Sequence, residues 1–178
     1  MPFTPLHMGP GLAIKALAGR RFSVLAFGIA QVAMDIEPLV GLMRDADVLH
    51  GPTHTYVAAL VIAVVVILLA PPICRPILSR WNRELSMHRL PWLVELESTS
   101  PVPVVVGALA GTISHVMLDS IMHVDISPLM PWSESNALFG LISIEALQQV
   151  CIVAGVCGVL GWFSIGWLKQ RAGISRDG

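Results

Sequence analysis

The stretch VPVVVGALAGTISHVMLDSIMHVD, Val102 to Asp125, decides the fold. Its first half is apolar enough to sit in hydrocarbon, yet two histidines and two aspartates follow without a break. Charge inside a membrane is costly and is placed where it is paired or used, so these side chains need a protected face. Helical spacing supplies one. His115, Asp119 and His123 are four residues apart, so successive side chains rotate by about 40° and climb about 6 Å along a single stripe. Gly107 and Gly111 continue that stripe downward, and small residues at this spacing let a second helix approach closely. The pattern predicts one spanning helix whose ligand-bearing stripe faces a bundle.

The rest of the chain agrees with a membrane setting. Of 178 residues, 54% are hydrophobic and 13% charged, against roughly 25% charged in an ordinary soluble domain. Four apolar segments stand out, Phe22 to Met43, Tyr56 to Ile73, Val102 to Ile121 and Ala137 to Leu168. Each is near or above the roughly 18 to 20 residues that a spanning helix needs. The fourth would be about 48 Å long as one helix, so its first turns lie outside the core or it bends at Gly140, leaving 147–168 as the span. The expected fold class is all-α: a multi-pass membrane helical bundle of about four transmembrane helices in one domain, 1–178, with spans near 22–43, 56–73, 102–121 and 147–168. Arg20-Arg21 precedes the first apolar run as in an export signal, but that run carries Asp35 and Glu37 and ends without a small-residue cleavage site, so it reads as a span.

Lysine and arginine set the orientation, because basic loops near span ends stay cytoplasmic. Ten of the eleven flank the inner ends of the proposed spans, and only Arg44 lies opposite. Both termini are therefore expected in the cytoplasm, with the protein in the inner (plasma) membrane. The net charge of -1 gives no bulk attraction to nucleic acid, and there is neither a Walker-type glycine loop nor a basic stripe with interleaved aromatics. Cys74, Cys151 and Cys157 are odd in number and form no C-x-x-C pair, so they read as small packing residues. The five tryptophans suit span ends and lipid interfaces.

Counting from the outer span ends places the ionisable residues. Asp35 falls about 12 Å and His115 about 9 Å below the outer edge, near one level. His50 and His54, in HGPTHTY, sit in the outer loop and at the mouth of the second span, His123 and Asp125 lie just above the third, and Glu145 belongs to the outer part of the fourth. Glu37 precedes Pro38 and points about 200° away from Asp35, which suggests a structural or rim role. His88 lies in the basic loop and is assigned no chemistry. Imidazoles with carboxylates and no competing thiolates suit a divalent metal, zinc first, then iron or manganese less selectively. Such an ion lowers the pKa of water, and a spare carboxylate takes the proton; Glu145 is the candidate catalytic base, with Asp35 in reserve. A site about 10 Å below the surface is reached by a lipid head group more easily than by a soluble polymer, so a membrane lipid or lipid-linked substrate is expected. The alternative is a non-enzymatic metal-binding or transport protein, which would need ionisable residues at several depths. A third reading, polar residues that only fix helix packing, is separated from both by metal content.

The ordered blocks TPLHMGPG with His7, AMDIEPL with Asp35, HGPTHTY with His50 and His54, and GTISHVMLDSIMHVDISPLMPW with His115 and Asp119 resemble the LexA-regulated, inner-membrane family of predicted metal-dependent hydrolases. The resemblance runs from residue 1 to about Trp132. A more distant likeness links H-x-x-x-D-x-x-x-H at His115, Asp119 and His123 to the zinc-dependent phospholipase C group. The resemblance implies a helical membrane protein in which His7, Asp35, His54, His115 and Asp119 bind metal and hydrolyse an ester or phosphoester. The chain departs from the family at His50 and His54, which are one residue closer than in the usual H-R-G-x-T-H and lack its arginine. The expected topology also puts His7 on the side opposite the cluster. Either Leu6 to Leu17 enters the membrane as an N-terminal half-helix, or His7 is not a ligand.

Overall fold

The computed structural model describes residues 5–46, 48–95 and 101–172, and among them every regular element is helical. The helices are α1 (Met8–Ala18), α2 (Val24–Met34), α3 (Ile36–Met43), α4 (Tyr56–Met87), α5 (Val102–Met122) and α6 (Ile144–Arg171). Four are long and apolar enough to cross a membrane: α2 with α3 taken as one span, α4, α5 and α6. The protein is membrane-embedded, and the large apolar side chains left exposed on α4 and α6, such as Val61, Leu68, Val153 and Leu160, form its lipid-facing surface.

Small residues hold the central three helices together. Ala59, Ala63, Val66, Ala70 and Cys74 form one buried stripe of α4, and it meets Ala26 and Ala30 of α2 and Ala108 of α5. Helices α2 and α5 run parallel, because the Ser23 N–H donates to the Pro103 carbonyl at 3.0 Å while Gln31 reaches Gly111 and His115. The glycine stripe lies in that contact. A Cβ on Gly107 would stand 2.4 Å from the Ser23 carbonyl oxygen, and one on Gly111 2.7 Å from the Ala30 Cβ. Lipid offers no hydrophobic drive between helices, so this close backbone approach is what favours association.

The structure departs from the expected boundaries in two places. Helix α4 continues past Ile73 to Met87 through Pro71, Pro72 and Pro76. Helix α6 begins at Ile144, where the Ser143 hydroxyl accepts from the Ala146 N–H, so 137–143 is not part of it and Gly140 lies in the preceding loop with φ +70°. At the N-terminal segment the half-helix alternative holds: α1 packs along α6 and parallel to it. Gly9 meets Cys151, Leu12 meets Gly158 and Ala16 meets Gly161. Its start therefore lies at the end of the bundle where α5 finishes, and its end leads to Arg20 and Arg21. Residue 5 accordingly lies at the Asp119 end of the bundle and residue 172 at the opposite, basic end; the two termini, expected on one face, lie outside the described residues. Of the cysteines, Cys74 and Cys151 are buried but Cys157 is exposed.

Candidate metal centre

Asp119 is the centre of the site. It is buried on α5, one turn above His115, whose Nε2 lies 3.1 Å from its Oδ2. His54 Nε2 stands 3.5 Å from the same oxygen, and His7 Nε2 stands 3.4 Å from Oδ1. Each imidazole arrives by a different route. His115 comes from the α5 stripe, His54 from the turn Pro52–His54 that leads into α4, and His7 from the turn Pro5–His7 that precedes α1. The glycine contacts between α1 and α6 are what carry His7 to this level.

Asp35 arrives through a break in the first span. Pro38 has no N–H to give and its ring crowds the carbonyl four residues back, which interrupts the helix after Met34. Asp35 sits in that break, with Oδ1 3.5 Å from His115 Nε2.

Two groups orient the imidazoles from behind. Gln31 donates from Nε2 to the Gly111 carbonyl at 3.1 Å, which turns its Oε1 toward the ring of His115, 2.7 Å from Nδ1. The proton of His115 therefore resides on Nδ1, and the Nε2 lone pair faces the carboxylates. Glu37 acts through Thr53: it accepts from the Thr53 backbone N–H and hydroxyl, and that hydroxyl oxygen lies 3.2 Å from His54 Nδ1. Gly51 makes room for it, since a Cβ there would stand 2.5 Å from Glu37 Oε1. Partners of this kind fix ring orientation and tautomer in metal sites.

The inner nitrogens have no such satisfaction. His7 Nδ1 and Nε2, His54 Nε2 and His115 Nε2 are buried without a hydrogen-bond partner among the described residues. Each unsatisfied buried polar atom costs roughly 1–3 kcal/mol, and three of these four converge on one carboxylate. A cation placed among them would satisfy them. Ligands at about 2.0–2.1 Å in tetrahedral array stand roughly 3.3 Å apart, and the separations here are 3.1 to 3.5 Å. The donor set of imidazoles and carboxylates without thiolates fits a divalent ion. His7, His115 and Asp119 form one grouping able to hold it, and His50, His54 and Asp119 a second.

A third grouping, His50, His123 and Asp125, forms the lip. His50 Nδ1 lies 3.0 Å from both Asp125 oxygens, and its backbone N–H donates to Oδ2 at 3.2 Å. Its ring stacks 4.1 Å from His123 and 4.9 Å from His54, so the lip is continuous with the buried site. Burial holds the pKa of His50 and of His123 below the ordinary histidine value. Burial pushes Asp125 the other way, but the hydrogen bonds from His50 outweigh it and hold the carboxyl below its usual range. Neutral imidazole and ionised carboxylate are the states that bind metal.

Thus His7, Asp35, His50, His54, His115, Asp119 and His123 all come to one end of the bundle, with two corrections. His123 does not continue the α5 stripe. It is the helix C-cap, with extended backbone at φ -118°, ψ 125°, because Asn136 and Gly140 take the last carbonyls, those of Ser120, His123 and Ile121, and turn the chain. It pairs with His50 instead. Glu145 is exposed in the first turn of α6 and belongs to none of the three groupings. A carboxylate there is favoured by the helix dipole. Sequence reasoning also missed Gln31 as the partner of His115, although an amide in the apolar run VLAFGIAQVAM, four residues before Asp35, was the available signal.

No curated protein and no solved structure matches the chain. A family model does, from residue 1 to 177, a range that takes in every imidazole and carboxylate of the site, and the chain accordingly belongs to the family described as a domain of unknown function, DUF4184.

Proposed function

We propose that this protein is a membrane-embedded, metal-dependent hydrolase acting on a lipid, lipid-linked or phosphoester substrate, as the resemblance to the LexA-regulated inner-membrane hydrolases implies. On this reading it resides in the inner membrane with its basic end in the cytoplasm. The observation that carries the reading is the set of buried imidazole nitrogens without partners around Asp119. His7, His54, His115 and Asp119 hold the ion, with zinc the best fit to the donors; when bound, it supplies Lewis acidity toward a phosphoryl or carbonyl oxygen and acidifies water. Gln31 and Glu37 keep Nε2 of His115 and of His54 turned inward. Asp35 falls outside the three groupings and makes its ion-pair approach to His115, at 3.5 Å, which suits it to accept a proton from the attacking water at a carboxylate oxygen. That role passes to it from Glu145. The lip of His50, His123 and Asp125 lies where a head group enters. Around it, Val124, Leu129, Trp132 and Leu141 expose apolar surface, which suits a membrane interface and a substrate arriving from lipid.

The test is elemental analysis of purified protein followed by turnover assays on phospholipids, lipid-linked sugars and simple phosphoesters. We expect about one or two zinc-like ions per chain and turnover of at least one lipid class. Metal-free protein would sink the reading. Full occupancy with no turnover across the panel would favour the metal-binding or transport alternative.

A further inference from the structure

Toward the basic end of the bundle, away from the metal centre, α1 carries a buried charge. Lys15 is 5% exposed, stands 2.9 Å from Glu95 Oε2 and donates to the Phe22 carbonyl at 3.2 Å. Glu95 is itself held from two helices. Its N–H donates to Asn82 Oδ1 of α4 at 3.0 Å and its carbonyl accepts from Asn82 Nδ2. Trp92, in the same short segment, packs on Phe163 and Gly166 of α6. A buried ion pair is weak support for stability, because desolvation offsets its attraction, and its best-attested use is to select one register among several.

Helix α1 needs such a selection. Its contact with α6 is a track of small residues, in which Gly9 meets Cys151, Leu12 meets Gly158 and Ala16 meets Gly161, with Gly155 between. Small residues let the helices approach closely, but they set no height. A slip of α1 by one turn, about 5.4 Å, would put Gly9 opposite Gly155 and Leu12 opposite Gly161, and close apolar contact would be regained. His7 stands 3.4 Å from Asp119 Oδ1, so the same slip would carry it out of the centre. Lys15 removes the ambiguity. His7, Gly11 and Lys15 are buried and four residues apart, so they form one stripe of the helix. That stripe faces the bundle: His7 toward Asp119, Gly11 against the Phe27 ring, where a Cβ would stand 2.5 Å from Cε1, and Lys15 at the Phe22 carbonyl. A slipped or rotated α1 would pull Lys15 from Glu95 and from that carbonyl together.

We propose that Lys15 and Glu95 are positioning residues of the metal centre: the pair pins the height and rotation of α1 and thereby aims His7, about 12 Å along the helix, at Asp119, an assignment that rests on the metal of the hydrolase reading. Loss of either partner acts on the ion through His7. It leaves His54, His115 and Asp119, which belong to other elements, where they are.

Zinc-chelator competition on full-length protein tests this in two backgrounds. Lys15→Met should weaken zinc binding by about 10- to 100-fold in otherwise wild-type protein, and by no more than about twofold beyond the loss already caused by His7→Ala. Asn82→Ala, which frees Glu95 from α4, should show the same dependence on His7 and decides the matter if Lys15→Met does not fold. A cross-link reads the register without metal. A Cβ on Gly161 would stand 3.5 Å from the Ala16 Cβ, a separation that a disulfide bridges, so Ala16→Cys/Gly161→Cys in a Cys157→Ser background should oxidise to a disulfide, and adding Lys15→Met or Asn82→Ala should remove most of it. Wild-type protein without zinc would sink the hydrolase reading and leave the cross-link to decide the register. Wild-type zinc affinity in a folded Lys15→Met protein, a loss as large in the His7→Ala background as outside it, or a disulfide that forms equally well with and without Lys15 overturns the proposal.

Discussion

Replacing Gly9 by alanine puts one methyl group where α1 lies on α6, and its effect on metal can be worked out from the contact. The new Cβ would stand 1.9 Å from the Cys151 carbonyl oxygen and 2.8 Å from its carbon. Both are backbone atoms in mid-helix and cannot swing aside. Restoring an ordinary contact of about 3.5 Å requires the two helices to part by about 1.5 Å at that point. His7 lies two residues upstream, 3.4 Å from Asp119 Oδ1, and functional geometry tolerates only about 0.5 Å. His7 therefore withdraws. Metal affinity should fall by about 10- to 100-fold, the usual effect of losing a ligand's support, and should match that of His7→Ala. Gly161→Ala is the control: on the same helix pair its Cβ meets only the Ala16 Cβ, at 3.5 Å, and affinity should stay within about twofold of wild type. Competition with a zinc chelator gives the affinities, and far-ultraviolet circular dichroism checks that the helices persist. Wild-type affinity in a helical Gly9→Ala protein would refute the docking of α1 as the device that places His7.

His115→Ala and Asp119→Ala should each lose most of the metal by elemental analysis while remaining helical, and His88→Ala, exposed at the end of α4, should lose none. Gln31→Leu removes the partner of His115 Nδ1 and should weaken zinc binding by about 10- to 100-fold in the chelator competition. Asp35→Asn should keep the fold and lower turnover by roughly 10²- to 10⁴-fold, whereas Glu145→Gln should turn over at the wild-type rate. Because burial lowers the pKa of His50 and His123, their neutral forms favour the folded state. That contribution is complete above the ordinary value of 6.5 and is lost as pH falls below it. Thermal melting of metal-free protein should drop between pH 7.5 and 5, and His50→Ala/His123→Ala should shrink the drop.

The spans could be read from composition because lipid demands apolar length, and the pairing of His115 with Asp119 follows from helical spacing alone. The nearness of Asp35 to His115 needed only counting from span ends, since α2 and α5 run parallel through the same thickness. What could not be read depends on tertiary contact. His7 reaches the site because α1 lies on α6, and nothing local in either segment names the other. The end of α5 is similar: no glycine or proline follows Met122 directly, and the turn at His123 comes from Asn136 and Gly140. Glu145 was a local misreading. Ser143 followed by an acidic first turn is a helix start, and it places Glu145 at a helix tip. Glu37 was read as pointing away from Asp35, which holds for a straight helix, but the interruption at Asp35 and the room left by Gly51 let it turn toward His54.

The docking of α1 along α6 also sets the order of assembly. The chain's first ligand, His7, finds its place beside its last spanning helix, so the contact that completes the site joins segments about 140 residues apart. Long-range contacts of this kind form late, and the contact of α1 with α6 waits until α6 is in the membrane. A chain stalled or cut before Ile144 has Asp35, His54, His115 and Asp119, but it keeps only the smaller contacts of Leu6 with α5, of Gly11 with α2 and of Lys15 with Glu95 to hold His7. Firm placement of His7 thus reports that α6 has been made and inserted.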